Sequence, residues 1–73
     1  MNMRAKLQEA RKRAGLTQEQ VAERLHVTER YYKAIEYGER TGVVELWDKL
    51  EDMFNVHQRV LREIGPDKED NPS

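Results

Sequence analysis

Hydrogen-bonding recognition is the chemistry that the side chains from Glu29 to Ala34 could perform. The forked guanidinium of Arg30 can pair with two adjacent acceptors, such as O6 and N7 of guanine. A positive side chain in the first turn of a helix opposes the helix dipole, at a cost of about 0.3–1 kcal/mol. Since residues that break a local rule concentrate at functional sites, Arg30 is the strongest candidate for such recognition.

The neighbours of Arg30 each have a functional and a structural explanation. Glu29 could accept a hydrogen bond from a cytosine amino group, but it also suits the positive end of the helix dipole. Tyr31 should face outward, where it could touch a thymine methyl group or a phosphate, or could be a simple exposed aromatic residue. Lys33 and Arg40 could bind phosphates or be ordinary solvated charges. The residue types alone leave both explanations open.

Covalent and metal chemistry have little support in this sequence. The 73 residues include no cysteine, and the only serine is Ser73. The threonines are predicted to cap helices, so no familiar nucleophile remains. His26 and His57 are too few and too far apart in the sequence for a metal-ligand spacing. We therefore expect no enzyme activity, no cofactor, no metal and no small-molecule ligand.

The segment that carries Arg30 follows a helix with a well-marked start. Thr17 and Gln20 form a capping box, and Leu16 and Val21 have the spacing of a hydrophobic staple. His26 belongs to a residue type that is enriched among non-glycines with positive φ, so the helix should end there. The spacing predicts a helix from residue 18 to near residue 26.

The same pattern repeats at once in the next helix. Thr28 is the predicted cap, Val27 and Tyr32 form a second staple, and Gly38 can close the helix in the left-handed region. Tyr32 and Ile35 should therefore point inward. Because only about three residues separate the two helices, they must cross at a steep angle, as in a helix-turn-helix arrangement.

Three further helical segments complete a predicted all-α fold of five short helices. Gly15 is placed to end the first helix, and Gly65-Pro66 to end the fifth. Trp47 is the expected core anchor of the fourth helix. The apolar positions at helical spacing are Met3, Leu7, Ala10 and Ala14 in helix 1, Val43, Leu46, Trp47, Leu50, Met53 and Phe54 in helix 4, and Val60, Leu61 and Ile64 in helix 5. We expect one domain over residues 1–65 and a disordered tail or linker over residues 66–73.

Charge is divided unevenly along a chain whose net charge is −1. Residues 1–40 hold nine basic and six acidic side chains, a charge of +3, whereas residues 41–73 hold four and eight, a charge of −4. This asymmetry fits one face for an anionic partner, but it also fits a charged, solvated surface. Apolar runs fall far short of the roughly 20 residues of a membrane span, and no signal peptide is evident. We expect a cytoplasmic protein without a membrane partner.

Several stretches together resemble one known family. They are Arg11, GLTQEQVAERL from Gly15, VT at 27–28, IEYGER from Ile35 and ELWDKLEDMFNV from Glu45. This combination resembles the DNA-binding domain of Cro and phage-repressor type (XRE-like) regulators, over nearly all of the chain except the tail. The resemblance implies a lambda-repressor-like fold in which helices 2 and 3 form the helix-turn-helix and helix 3 enters the major groove of double-stranded DNA. It also implies a homodimer and a buried or half-buried ion pair between Arg11 and Glu36.

Residue chemistry and resemblance together define the expected interface. Base contacts are expected from Glu29, Arg30, Tyr31, Lys33 and Ala34. Phosphate contacts are expected from Thr17, Gln18, Thr28, Lys33, Arg40 and Thr41. Gln18 has a structural explanation as well, because glutamine is a good helix former in a first turn.

Three residues depart from the pattern of the family. His26 replaces the usual turn glycine, Gly42 stands where proline is common, and Val43 takes the place of a capping serine or threonine. The first should strain the turn, and the other two weaken the assignments of Arg40 and Thr41.

These features predict a sequence-specific DNA-binding transcriptional regulator, and more narrowly a repressor that reads an inverted repeat. The alternative is a protein-interaction module of the same fold, such as an antirepressor or an antitoxin-like partner. That module would use an acidic surface of helices 4 and 5. Salt-dependent binding to duplex DNA would separate the two functions.

Overall fold

Five short helices form the architecture of the computed structural model, which describes residues 2–66. The helices are α1 (Ala5–Arg13), α2 (Gln18–Leu25), α3 (Glu29–Glu36), α4 (Val44–Phe54) and α5 (Gln58–Leu61). Two-residue strands β1 (Asn2–Met3) and β2 (Gly65–Pro66) pair antiparallel, with Asn2 opposite Pro66 and Met3 opposite Gly65. The prediction of an all-α, lambda-repressor-like fold with five helices is confirmed.

The boundaries differ from the prediction at both ends. Met3 was expected on the inner face of helix 1, but it lies in β1, and α1 begins only at Ala5. Pro66 was expected to open the tail, but it pairs in β2. These residues leave the expected elements because their two strands pair, with Met3 opposite Gly65 and Pro66 opposite Asn2, a contact that no local pattern encodes. The rest of the predicted tail, residues 67–73, lies outside the described residues.

Local capping explains where α2 and α3 begin. The Thr17 hydroxyl accepts from the Gln20 amide at 3.1 Å, and the Gln20 side chain accepts from the Thr17 amide at 2.9 Å. The Thr28 hydroxyl accepts from the Tyr31 amide at 3.0 Å. His26 ends α2 with a φ of 62°, in the left-handed region. The predicted caps and the strained turn are confirmed.

The core lies where all five helices meet. Trp47, Tyr32, Leu7, Ile35, Leu50 and Leu61 are all at most 1% exposed. Burying an aliphatic side chain of this size contributes roughly 1.5–3 kcal/mol, so these few residues supply much of the stability of a small domain. Trp47 is the core anchor that the sequence predicted, and its indole N–H donates to the Thr41 carbonyl at 2.9 Å.

Four apolar side chains that were expected in the core are exposed. One is Ala14, which follows α1 as its C-cap. Val43 is 61% exposed, and Val60 and Ile64 are 40% and 44% exposed. Val43 precedes α4 as its N-cap without a side-chain hydrogen bond, so it lies before the stripe that packs inward. α5 has only four residues, of which Leu61 alone is buried, and Ile64 follows its end. A helix this short cannot bury a whole stripe.

Gly42 turns the chain between α3 and α4. Its φ is +81°, and a Cβ at this position would lie 3.0 Å from Leu46 Cδ2 and from Trp47 Nε1. Proline, which holds φ near −65°, cannot adopt this conformation. The absence of proline here therefore follows from how the loop packs on the core.

None of the helices over residues 2–66 is long and apolar enough to cross a membrane.

Candidate nucleic-acid interface

The outer face of α3 presents the side chains that were predicted to read bases. Tyr32, Ile35 and Glu36 are fully buried, which leaves Glu29 and Arg30 on the outward side of the helix. Tyr31 was expected to face outward, but it packs partly against the core, because on a helix it lies next to Ile35, four positions later. Glu29 and Arg30 are exposed, and Tyr31, Lys33 and Ala34 are half-buried. All five predicted base-contact residues thus belong to one helix, which is held to the core by its other side.

A surface groove brings Arg30 and Tyr31 together with the loop that follows α3. It has a volume of about 350 Å³ and is lined by Thr28, Arg30, Tyr31, Ala34, Glu39 and Arg40. We call it the α3 groove. Arg40, a predicted phosphate contact, therefore lies beside the predicted base contacts. Glu39 was missed, because an acidic residue in a loop carries no distinctive sequence signal.

Lys33 is already engaged by its own helix. Its Nζ lies 3.5 Å from Glu29 Oε2, one turn earlier, and the two side chains are 45% and 44% exposed. Pairs of this kind contribute about 0.3–0.5 kcal/mol, so a ligand can displace them at little cost. Within α3 itself, the pair cancels one positive charge against one negative charge.

A buried carboxylate joins α3 to α1 and α2. Arg11 Nε donates to Glu36 Oε2 at 2.6 Å, and Glu36 is fully buried. The Gln18 amide donates to Glu36 Oε1 at 3.0 Å, and Gln8 lies 3.5 Å from the same oxygen. Arg11 also donates to the Leu16 carbonyl at 2.9 Å. This network sets the position of the exposed face of α3 relative to the start of α2.

Gln18 is thus held from within, which sequence reasoning did not foresee. It is half-buried in the first turn of α2, and one amide proton points at Glu36. The second amide proton remains for another acceptor. Beside the network lies the Tyr32 hydroxyl, which has no hydrogen-bond partner within residues 2–66. Burial raises the pKa of Tyr32 well above its usual value, and the charge of Glu36 adds to this, so the phenol stays neutral.

Arg4 is a second structural residue that the sequence did not reveal. It is only 4% exposed, and its Nη1 donates to the carbonyls of Ile35 at 2.6 Å and Arg40 at 2.9 Å. Its Nε donates to the Arg62 carbonyl at 3.0 Å, and its guanidinium lies 5.0 Å from the centre of the Trp47 ring. Burial, together with the nearby charge of Arg62, lowers the pKa of Arg4. Arg4 therefore ties the end of α3 to the loop after it and to the end of α5.

The remaining predicted phosphate contacts lie at helix starts and in the loop. Thr17 and Thr28 are exposed N-caps whose hydroxyls accept from backbone amides. Arg40 and Thr41 are exposed, and the Thr41 carbonyl accepts from Trp47. Of these four residues, Thr28 and Arg40 line the α3 groove, and Thr17 and Thr41 do not.

The surface that was predicted to be acidic is acidic on α4 but not on α5. Glu45, Asp48 and Asp52 of α4 are exposed. α5 and the residue after it present Arg59 and Arg62, both exposed. The acidic character expected for helices 4 and 5 together therefore belongs to α4 alone.

Across residues 2–66, no three His, Asp or Glu side chains are arranged to hold a metal ion.

Comparison with known proteins gives a family match. A family model described as Helix-turn-helix matches residues 7–61, from the first buried residue of α1 to the end of α5. No curated protein matches the chain, and no solved structure does.

Proposed function

We propose that this chain, which belongs to the helix-turn-helix family, is a transcriptional repressor. In this proposal it reads an inverted repeat in double-stranded DNA. The family is one of DNA-binding domains and not of enzymes, in agreement with the resemblance to Cro and phage-repressor type regulators. The observation that carries the proposal is the α3 groove, in which Arg30 and Tyr31 are presented by a helix that Glu36 anchors from behind.

In this proposal α3 lies in the major groove and its outer face reads the bases. Arg30 pairs bidentately with O6 and N7 of a guanine, a contact worth about 1–3 kcal/mol of discrimination. Tyr31 and Ala34 offer apolar contacts to thymine methyl groups. Glu29 accepts from a cytosine amino group when Lys33 leaves their ion pair, and Lys33 then contacts a base or a phosphate.

Phosphate contacts flank the reading helix and set its register. The Thr17 and Thr28 hydroxyls accept from backbone amides, which leaves each hydroxyl proton to donate to a phosphate. Gln18 has its second amide proton for the same purpose. Arg40 and Thr41 extend the contacts into the loop after α3. Such contacts add affinity and salt dependence but carry no sequence information.

Two copies of the chain would bind as a homodimer, each placing α3 in one of two successive major grooves. The half-sites then lie about 34 Å apart, one helical turn, and are related by an inverted repeat. A repressor must share a compartment with the DNA that it binds, so the expected cytoplasmic location is part of the same proposal.

The test is selection of bound duplexes from a random DNA library at moderate salt, with the wild-type chain and Arg30→Ala in parallel. We expect an inverted repeat that contains a guanine, and the loss of preference at that guanine alone in the variant. Arg24→Ala is the matched control, because Arg24 is an exposed arginine of α2 outside the α3 groove. It should keep the guanine preference.

One outcome of the duplex selection would contradict the proposed function. If the wild-type chain enriches no sequence, and its binding disappears with a modest rise in salt, the operator-reading function is wrong. The acidic side chains of α4 would then be the surface to test for a protein partner, as an antirepressor or antitoxin-like module would require.

A further inference from the structure

A second group of basic side chains lies outside the α3 groove, where α5 meets the start of α1. It surrounds an open cavity of about 560 Å³ lined by Arg4, His57, Gln58, Arg59, Arg62 and Glu63. We call these lining residues the α5 cluster. Three arginines and a histidine thus line the same space as a single glutamate, although residues 41–73 are acidic overall. Such a local excess of positive charge attracts an anion.

Two of the guanidiniums share one aromatic ring. Arg4 lies 5.0 Å and Arg62 lies 5.8 Å from the centre of the Trp47 ring. The ring attracts both cations, but their charges repel each other, and this repulsion contributes to the lowered pKa of Arg4. Within residues 2–66 neither one forms an ion pair with a carboxylate. A bound anion would relieve the repulsion.

His57 adds a hydrogen-bond donor to the α5 cluster. Its Nδ1 accepts from the Arg59 amide at 3.0 Å, which caps α5. A neutral imidazole that accepts through Nδ1 carries its proton on Nε2. The cavity is therefore lined by donors from Arg59, Arg62 and His57, with Glu63 as the opposing carboxylate. Its chemical complement is an oxyanion with several acceptor oxygens, such as a phosphate group.

The α3 groove itself has little net positive charge with which to hold DNA. Glu29 offsets Lys33, and Glu39 lines the groove together with Arg30 and Arg40. Since contacts to phosphates supply much of the affinity of DNA-binding proteins, additional cations are needed near the groove. One residue of the α5 cluster contacts one residue of the groove, since Arg4 Nη1 donates to the Arg40 carbonyl at 2.9 Å.

We propose that Arg59, Arg62 and His57, organised by Arg4 and Trp47, bind a backbone phosphate of DNA that flanks the bases read by α3. The inference rests on the proposed function, since it assigns a further part of the same DNA interface. Arg4 is a positioning residue here, because its Nε and Nη1 are occupied by carbonyl oxygens.

The experiment is a salt titration of duplex binding, for the wild-type chain, Arg59→Gln and the double variant Arg59→Gln/Arg62→Gln. We expect the magnitude of the slope of log K against log salt to fall by about 0.9 when the one phosphate at the α5 cluster loses its cations, with part of that fall in Arg59→Gln and the whole of it in the double variant. Affinity should fall by the same factor on selected and random duplexes, with base preference unchanged, because phosphates carry no sequence information. Arg13→Gln is the charge-matched control and should keep the wild-type slope, since Arg13 is exposed on α1 and lines neither cavity.

Folding is separated from binding by the choice of variants. Arg62 packs on Trp47, so its loss could affect the fold, whereas the Arg59 side chain makes no hydrogen bond within residues 2–66. Arg59→Gln alone should therefore keep the wild-type melting temperature and still lower the slope.

Three results would overturn the inference, and they are distinguishable. If the wild-type chain binds duplex DNA but Arg59→Gln and the double variant keep its slope, the phosphate site is wrong and the proposed function stands. A shift in oligomeric state by sedimentation with an unchanged slope would assign the α5 cluster to a subunit interface instead. If the wild-type chain binds no duplex at all, the proposed function fails and the phosphate site fails with it.

Discussion

At the scale of single residues, Glu36 is the charge with the least access to water. It is fully buried and accepts from Arg11 at 2.6 Å and from Gln18 at 3.0 Å. A buried ion pair is not a large source of stability when compared with a well-packed apolar pair, because both charges lose their hydration. Removing one partner is a different matter, since the other charge then stays buried without compensation. Glu36 therefore positions α3, and its loss should lower the stability of the whole domain.

We predict that Glu36→Ala lowers the free energy of unfolding by about 3–5 kcal/mol. A domain of this size has roughly 4–11 kcal/mol in total, so the variant should lie close to unfolding. Thermal denaturation followed by circular dichroism measures the change. Glu29→Ala is the matched control, because it removes a glutamate of the same helix whose ion pair with Lys33 is exposed. It should cost no more than about 0.5 kcal/mol, and a wild-type melting temperature in Glu36→Ala would contradict the prediction.

At the scale of elements, the turn between α2 and α3 determines how the two capped helices meet. Val27 packs against the core and Thr28 caps α3. The change of chain direction between the two helices therefore occurs at His26. Its φ of 62° lies in the left-handed region, which costs a residue with a Cβ roughly 1–2 kcal/mol. The turn thus holds strain that a glycine would not have.

We predict that His26→Gly raises the melting temperature. Relief of the left-handed strain exceeds the extra entropy that a glycine gives the unfolded chain, about 0.4–1 kcal/mol, so the net gain should be about 0.5 kcal/mol. Such a gain corresponds to a few degrees in a domain of this size, roughly 2–4 °C. Asn55→Gly is the comparison, because Asn55 has a φ of 54° and asparagine tolerates this region better than most residues. Its gain should be smaller, and a lower melting temperature for His26→Gly would refute the strain argument.

The loop between α3 and α4 is shaped by the core beneath it. Gly42 packs under Leu46, Trp47 and Ile35, and the Thr41 carbonyl accepts from the Trp47 indole. On the other side, the Arg40 carbonyl is held by Arg4. The backbone of the loop is therefore anchored at three successive residues while the side chains of Arg40 and Thr41 stay exposed. Such an anchored loop suits the phosphate contacts that the proposed function assigns to Arg40 and Thr41.

At the scale of the whole molecule, charge is arranged in separate surfaces that the net charge of −1 conceals. The exposed carboxylates of α4 form one surface, and Gln58 binds two carboxylates of that helix, Asp48 at 2.8 Å and Glu51 at 2.9 Å. The α3 groove carries Arg30 and Arg40, and the α5 cluster carries Arg4, Arg59 and Arg62. DNA binding by a slightly acidic chain is reasonable because the local potential, and not the sum, acts on a nearby phosphate.

For the whole molecule we predict a strict dependence of DNA affinity on half-site spacing. Two copies that contact each other can place both α3 helices correctly only when the half-sites lie one turn apart. Inserting five base pairs at the centre of the selected repeat moves the half-sites to opposite faces of the duplex, and affinity should fall to that of a single half-site. Affinity is measured by fluorescence anisotropy. A duplex with the same five base pairs added outside the repeat is the control. Equal affinity for the three duplexes would show that the chain binds as a monomer.

Most of the fold could be predicted because its signals are local. The capping box of Thr17 and Gln20 and the cap of Thr28 involve residues three positions apart, and the turn at His26 depends on one φ angle. Helical spacing likewise identified Trp47, Tyr32 and Ile35 as core residues. The exposure of Glu29 and Arg30 followed from these inward residues, since neighbours on a helix point about 100° apart, but the partial burial of Tyr31 against the core did not.

Local sequence signals were enough to predict the five helices, the two caps and the exposure of Glu29 and Arg30 on α3. The other features depend on contacts between distant positions. Arg4 reaches Arg62 across 58 positions and Ile35 across 31, and Gln18 reaches Glu36 across 18. The physical reason is that a guanidinium or amide can bond to any acceptor that packing brings within about 3 Å. Only the folded core shows which acceptor that is, and so only the fold shows that scattered arginines form one cluster.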